Sequence, residues 1–176
     1  MEVILVRHTS VDVPAGTCYG QTDVPLKASF AEEAADTMAA LSAQGMPDAV
    51  FTSPLSRCVR LAEFCGYPDA TRDARLLEMN FGEWEMQRYE EIHDPYIEDW
   101  YEDYINLPVP GGESFMMQYK RVTAFLEEIR NQSFERVLIF AHGGVLACAK
   151  IFAGLSAPKE AFFNLTPYGG FIKIQL

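Results

Sequence analysis

Arg7, His8, Arg57 and His142 are the residues whose types and spacing point to chemistry. Arg7 and His8 directly follow the apolar run Val3 to Val6 in EVILVRHTS. His142 follows Val137 to Ala141 in RVLIFAHGG, and Arg57 closes TSPLSR. A guanidinium presents a planar fork that matches phosphate oxygens, and a neutral imidazole can attack phosphorus as a nucleophile. Gly143 and Gly144 open a helix whose first N–H groups and dipole favour an anion. Brought together, these groups would make a pocket for a phosphoryl dianion. Singly, each has an ordinary explanation: a histidine at a strand end is usually a hydrogen-bonded structural residue, and a lone arginine is usually solvated. A metal site built from His8, His142 and a carboxylate is the other chemical possibility, although Arg7 and Arg57 would repel a dication.

Convergence requires the right scaffold. Short apolar runs at 2–6, 48–52 and 136–141 read as buried parallel strands, and 170–176, which alternates, as an edge or half-buried strand. A short extended piece fits 71–76. Helical spacing predicts helices over 29–43, 54–65, 114–131 and 143–153. The second has Ser53 as N-cap and Pro54 at the first helical position. The third carries Phe115, Tyr119, Val122, Phe125, Leu126 and Ile129 on one face, with its cap near Gly112 or Glu113. The aromatic, acidic stretch 87–105 reads as a helix broken near Pro95; its charges are those of a solvated face, with a lid as the alternative. Alternating strands and helices imply an α/β fold, a mostly parallel sheet covered on both faces. Ligands of such sheets bind at the carboxyl ends of strands, where Arg7-His8, Thr52-Ser53 and His142 fall.

The 176 residues suit one domain, and 49% are apolar, enough for a core. No apolar run approaches the roughly 20 residues of a membrane helix, and no secretory signal is visible; a soluble, cytoplasmic protein is expected. Cys18, Cys58, Cys65 and Cys148 match no CxxC motif and read as free thiols. The net charge of −11 argues against a nucleic-acid partner. It also means that any phosphate site is built locally, by clustered arginines within a repulsive field.

Five motifs in order carry a resemblance: LVRHT, FTSPLSRC, LLEMNFGEWE (76–85), PGGES (110–114) and IFAHGGV. Together they resemble the histidine phosphatase superfamily, the phosphoglycerate mutase-like group. The resemblance implies that fold, a small phosphate ester as substrate, and neither metal nor other cofactor. It implies that His8 forms a phosphohistidine and that Arg7, Arg57 and His142 hold the phosphoryl oxygens. Glu78, at the head of its motif, would be the general acid; Glu83 and Glu85 read as structural, and Phe81 and Trp84 as core or pocket wall. His8 must then be unprotonated on the attacking nitrogen, with the other donating to a backbone carbonyl.

Three positions depart from the family pattern. Thr9 stands for the usual glycine, Pro14 for a phosphate-binding asparagine, and Met86 for the glycine after the W-E pair. The segment RHTSVDVPAGTCYGQTDVPL (7–26) is most similar to α-ribazole phosphatases of cobalamin assembly, which implies hydrolysis of α-ribazole 5′-phosphate. Tyr19, Gly20 and Gln21 would contact the substrate from a covering loop. A broad sugar phosphatase or a mutase-like enzyme is the alternative. A non-catalytic phosphoprotein-binding module is another, although it would need neither His8 nor Glu78. The oligomeric state has no signal in the sequence.

Overall fold

A five-stranded sheet forms the centre of the computed structural model, which describes residues 1–160 and 162–176. Its strands are β1 (Glu2–Arg7), β2 (Ala49–Thr52), β3 (Thr71–Arg72), β4 (Arg136–Ala141) and β5 (Phe171–Gln175), in the order β3-β2-β4-β1-β5. All neighbours run parallel except β5, which pairs antiparallel with β1 at the edge. The continuous apolar runs follow from burial on both faces. Val3 and Leu5 pack under α4 (Phe115–Arg130) and α5 (Gly143–Phe152), whereas Ile4 and Val6 pack under α1 (Phe30–Ser42) and α2 (Ser56–Phe64). This is the α/β architecture that the alternating pattern predicts.

Register sets the site. Arg7 lies opposite Ala141, and Thr52 opposite Phe140. The three central strands therefore end level, and the ladder continues one step further: His8 N–H donates to Ala141 O at 3.0 Å and Ser53 N–H to Phe140 O at 2.9 Å. His8, Ser53 and His142 emerge at one rim.

The apolar stripe of α4 buries Phe115, Val122, Phe125, Leu126 and Ile129, each contributing about 1.5–3 kcal/mol when fully withdrawn from water. Its cap is Ser114, whose side chain accepts from Met117 N–H, not Gly112 or Glu113. The second helix also starts later than its sequence suggests, at Ser56 rather than Pro54. Ser53 does not reach Ser56 N–H: its hydroxyl pairs with His142 Nε2 at 2.7 Å and accepts from Leu55 N–H at 3.4 Å. Asp23, far away in sequence, supplies the cap by accepting from Ser56 N–H at 3.1 Å and Ser56 Oγ at 2.7 Å. Residues 71–76 hold only the two-residue β3 and a 3-10 turn.

Of the stretch 87–105, only α3 (Tyr96–Glu102) is an α-helix, preceded by a 3-10 turn at 89–91. Its charges face solvent while Ile92, Ile97 and Trp100 pack with Met79, Phe81 and Trp84 into a separate apolar cluster. No helix of the described residues is long and apolar enough to cross a membrane.

Candidate active site

His8 stands at the end of β1, 3% exposed. Its Nδ1 lies 2.7 Å from Thr9 O. A carbonyl oxygen only accepts, so in the neutral ring Nδ1 carries the hydrogen and Nε2 keeps its lone pair. The expected tautomer is in place, and the partner explains why threonine serves where glycine is usual: the contribution is a backbone carbonyl. Burial, then the charge of Arg57 and to a lesser degree Arg7, push the imidazole down to about 3, against the Thr9 carbonyl, which favours the charged form. His8 is therefore unprotonated at neutral pH.

His142 is fully buried, and its ring centroid lies 5.2 Å from that of His8. Its Nε2 faces Ser53 Oγ and lies 3.5 Å from Cys58 Sγ. Burial, then the charge of Arg57, hold its pKa well below the ordinary value.

The two guanidiniums are the unusual feature. Arg57, on the first turn of α2, is completely buried. It donates to the carbonyls of Thr22 and Gly20, and its Nε has no partner among the described residues. Arg7 donates to Thr166 O at 2.7 Å, lies 4.0 Å above the ring of Tyr168, and likewise has an unpartnered Nε. Neither forms an ion pair with a carboxylate among the described residues. A buried cation without an anion is costly. A dianion would offset that cost, and both unpartnered donors sit where the chain gathers its positive charge.

Glu78 approaches from the opposite side. Its Oε1 accepts from Met79 N–H at 2.9 Å and from Gln118 Nε2 at 2.8 Å, and its Oε2 from Gly144 N–H at 3.1 Å. The α5 terminus thus grips the carboxylate. A Cβ at Gly144 would stand 2.3 Å from Glu78 Oε1, so only glycine admits this approach.

A cavity of about 230 Å³ joins these groups. Arg7, His8 and Glu78 line it with Gly143 and Gly144; Tyr19, Phe81, Tyr89, Phe162, Leu165 and Tyr168 wall it. Arg57 and His142 are fully buried, with the His142 ring 5.2 Å from that of His8. The three residues assigned to a covering loop divide. Tyr19 lines the cavity, and its hydroxyl meets that of Tyr168 at 2.8 Å. Gly20 and Gln21 lie behind it: Gly20 O receives Arg57, and Gln21 Nε2 donates to Glu78 O at 3.0 Å. Gly20 packs so closely that a Cβ would fall 1.8 Å from Met79 O.

Glu85 is the anchor of that loop. It accepts from the N–H groups of Gly20, Gln21, Thr22 and Phe81. Burial raises its pKa, but these donors outweigh burial and hold the carboxyl below its ordinary range. Trp84 belongs to the apolar cluster, whereas Phe81 belongs to both cluster and wall. Pro14 lies in an exposed turn whose carbonyl accepts from Thr17, and Thr17 reaches the cavity instead. Met86, where the family pattern has glycine, has a left-handed backbone at φ 65°, which costs a side-chain-bearing residue about 1–2 kcal/mol.

Sequence reasoning passed over Gln118, Arg121 and Tyr168. Arg121 donates to the carbonyls of Arg75, Leu77 and Glu78 and pairs with Glu113 at 2.8 Å, fixing the segment that carries Glu78. Gln118 had a signal, a polar residue within the apolar stripe of α4. Tyr168 had none, because only the tertiary fold brings it over Arg7.

A sequence model of the histidine phosphatase superfamily (branch 1) matches residues 3–167. The chain belongs to this superfamily. It is similar to Phosphoserine phosphatase 1 of Hydrogenobacter thermophilus, with 29% identity over 93% of this chain and 81% of the relative. It is also similar to the adenosylcobalamin/α-ribazole phosphatase of Escherichia coli, with 26% identity over 93% of this chain and 84% of the relative. Among solved structures, the α-ribazole phosphatase of Shigella flexneri superimposes with a TM-score of 0.86 over 100% of this chain and 91% of its own, at 24% identity, a likeness of fold. This histidine phosphatase is thus an enzyme, a phosphoric monoester hydrolase whose relatives carry different substrate names.

The two buried neutral imidazoles predict an acid-linked loss of stability. Both pKa values are depressed in the folded state. Their stabilising contribution is complete above the unfolded value near 6.5 and is lost as pH falls from there towards about 3 for His8. Urea unfolding in phosphate-free buffer should show a loss of about 2 kcal/mol from His8 alone between pH 7.5 and pH 5, with His142 adding to it in the same direction. His8→Gln should remove the His8 part of the loss, and constant stability across the window would show that the imidazoles titrate alike in the native and unfolded states.

Proposed function

We propose that the enzyme hydrolyses a phosphomonoester whose alcohol carries a flat, uncharged group, through a phosphohistidine on His8, without metal, and that α-ribazole 5′-phosphate is its substrate. The observation that carries the catalytic part is the pair of buried guanidiniums without counter-carboxylates beside a neutral His8. Phosphoryl transfer needs positioning and stabilisation of the equatorial oxygens. Arg7 and Arg57 supply positive charge with free Nε–H donors, and His142 lies against the same centre.

In the first step His8 Nε2 bonds to phosphorus as the ester P–O bond breaks, and protonated Glu78 gives its proton to the departing oxygen. In the second, water attacks the phosphohistidine, the P–N bond breaks, and the Glu78 carboxylate takes the water's proton. Orthophosphate leaves, and His8 and Glu78 return to their starting states.

The substrate assignment rests on the walls. They are largely aromatic, and among the described lining residues Arg7 and Glu78 are the only ionic side chains. Both are committed to the phosphoryl group and the leaving oxygen. A phosphoserine would bring an ammonium and a carboxylate with no partner of opposite charge, and burying them unpaired is costly. A benzimidazole riboside presents flat apolar surface to the same walls. The similarity of residues 7–26 and the name of the Escherichia coli relative support this reading. The second reading, a phosphoserine phosphatase, is favoured by the relative from Hydrogenobacter thermophilus.

With excess chelator present, kcat/KM for α-ribazole 5′-phosphate should exceed that for O-phosphoserine by about 10²-fold or more, the scale at which unpaired buried polar groups discriminate. The reverse order would establish the second reading. Loss of all activity on chelation, restored by a divalent metal, would overturn the metal-independent mechanism.

A further inference from the structure

We propose that Gln118 is a positioning residue that fixes which oxygen of the Glu78 carboxyl carries the proton, and so aims that proton at the cavity. This rests on the reading of Glu78 as the acid. Gln118 sits on the buried face of α4, fully excluded from solvent, between Phe115 and Val122 of the apolar stripe. Its Nε2 donates to Glu78 Oε1 at 2.8 Å. Its own Oε1 is buried without any partner among the described residues. The amide thus gives its hydrogen to Glu78 and leaves its own carbonyl unsatisfied, an arrangement that stability alone disfavours.

The geometry gives that orientation a use. Glu78 Oε1 accepts two N–H groups, from Met79 and Gln118, whereas Oε2 accepts one, from Gly144. In a carboxylic acid the carbonyl oxygen is the better acceptor, and the hydroxyl oxygen bears the hydrogen. Two donors on Oε1 make it the carbonyl oxygen, and the proton resides on Oε2. Oε2 rests on Gly144, which lines the cavity, whereas Gln118 does not line it. A proton on Oε1 would oppose the donors of Met79 and Gln118, whereas a proton on Oε2 meets only Gly144 N–H and is free to be given to the leaving oxygen. When Glu78 later acts as base, the same asymmetry leaves Oε2 open to the proton of the attacking water. Gly144 makes the arrangement possible: a Cβ there would lie 2.8 Å from Gln118 Oε1 and 2.9 Å from its Nε2, as well as 2.3 Å from Glu78 Oε1.

The test is Gln118→Met, which keeps an unbranched side chain and removes both amide groups. Phosphoenzyme formation is measured by rapid quench with an alkyl phosphate and with nitrophenyl phosphate. The alkyl ester needs a proton for its leaving oxygen and the aryl ester does not, so the aryl burst also reports that the site is folded. Gln118→Met should slow the alkyl ester by about 10-fold or more, the effect of one hydrogen bond to a charged group, and leave the aryl ester within about 2-fold. In a Glu78→Gln background the same substitution should have no further effect, because no proton is left to direct. Equal losses on both esters, or a full effect in the Glu78→Gln background, would overturn the proposal. If Glu78→Gln alone discriminates between the esters and Gln118→Met does not, only the role of Gln118 falls. If Glu78→Gln itself fails to discriminate, the acid assignment falls and this proposal with it.

Discussion

Replacing His8 with alanine should abolish phosphoenzyme formation and lower kcat by roughly 10⁴-fold or more, the scale reached when a covalent nucleophile is removed. The surroundings supply no substitute. His142 is fully buried, with Nε2 facing Ser53. Burial pushes the Cys58 thiol far above its ordinary value, so it does not furnish a thiolate. Burial and the Tyr168 hydroxyl raise the Tyr19 phenol in the same way. The measurement is rapid quench with labelled substrate, followed by a test for acid-labile, alkali-stable phosphate on the protein. A His8→Ala enzyme that still gives a burst would place the nucleophile elsewhere.

The next largest effect is expected from Glu78→Gln, and it should depend on the leaving group. A ribose 5′-oxygen departs as a high-energy alkoxide unless it is protonated as the P–O bond breaks; a nitrophenolate needs no such help. General acid catalysis is typically worth about 10²- to 10⁴-fold, and phosphoenzyme formation from an alkyl ester should fall by that much. Glutamine keeps the shape of the side chain and one acceptor oxygen, for the N–H of either Met79 or Gly144. The aryl ester should therefore be nearly unaffected in the first step. Its steady-state turnover should still fall, because clearing the phosphohistidine needs Glu78 as base. Equal losses in the burst with both esters would mean that Glu78 acts by charge or structure.

Most of the scaffold was legible because it rests on local rules. Val3–Val6 and Val137–Ala141 are buried on both faces and read as strands for that reason. What escaped depends on contacts between distant segments. Ser53 carries the local signature of an N-cap, but His142 claims its hydroxyl, and the cap role passes to Asp23, 33 residues away. Asp23 was in view within the segment YGQTD, but nothing local says that its partner is the N-terminus of α2. Gly20 and Gln21 were assigned to the substrate because their loop resembles a covering loop. In the structure their backbone is turned towards Glu85 and Arg57 instead. The orientation of a loop peptide follows from the partners that surround it, and those partners are 37 to 65 residues away. Nothing local in the sequence tells that the Arg121 guanidinium gathers the carbonyls of Arg75, Leu77 and Glu78, at and after the 3-10 turn Ala74–Leu76.

The placement of the groups on the scaffold has a consequence for how such an enzyme can change. His8 and His142 issue from the two strands at the heart of the sheet, tied by the same ladder that holds the core. Such strands open only when the whole domain opens. The aromatic walls of the cavity come from elsewhere: Tyr19, Tyr89, Phe162 and Tyr168 all sit outside the sheet and the long helices. Loops of this kind accept replacement and insertion far more readily than core strands. One end of the substrate is thus met by a part of the molecule that resists mutation, and the other by a part that tolerates it. Lineages built on this plan can trade one alcohol for another without relearning how to move a phosphoryl group, and the different substrate names carried by its relatives are the pattern such a division would leave.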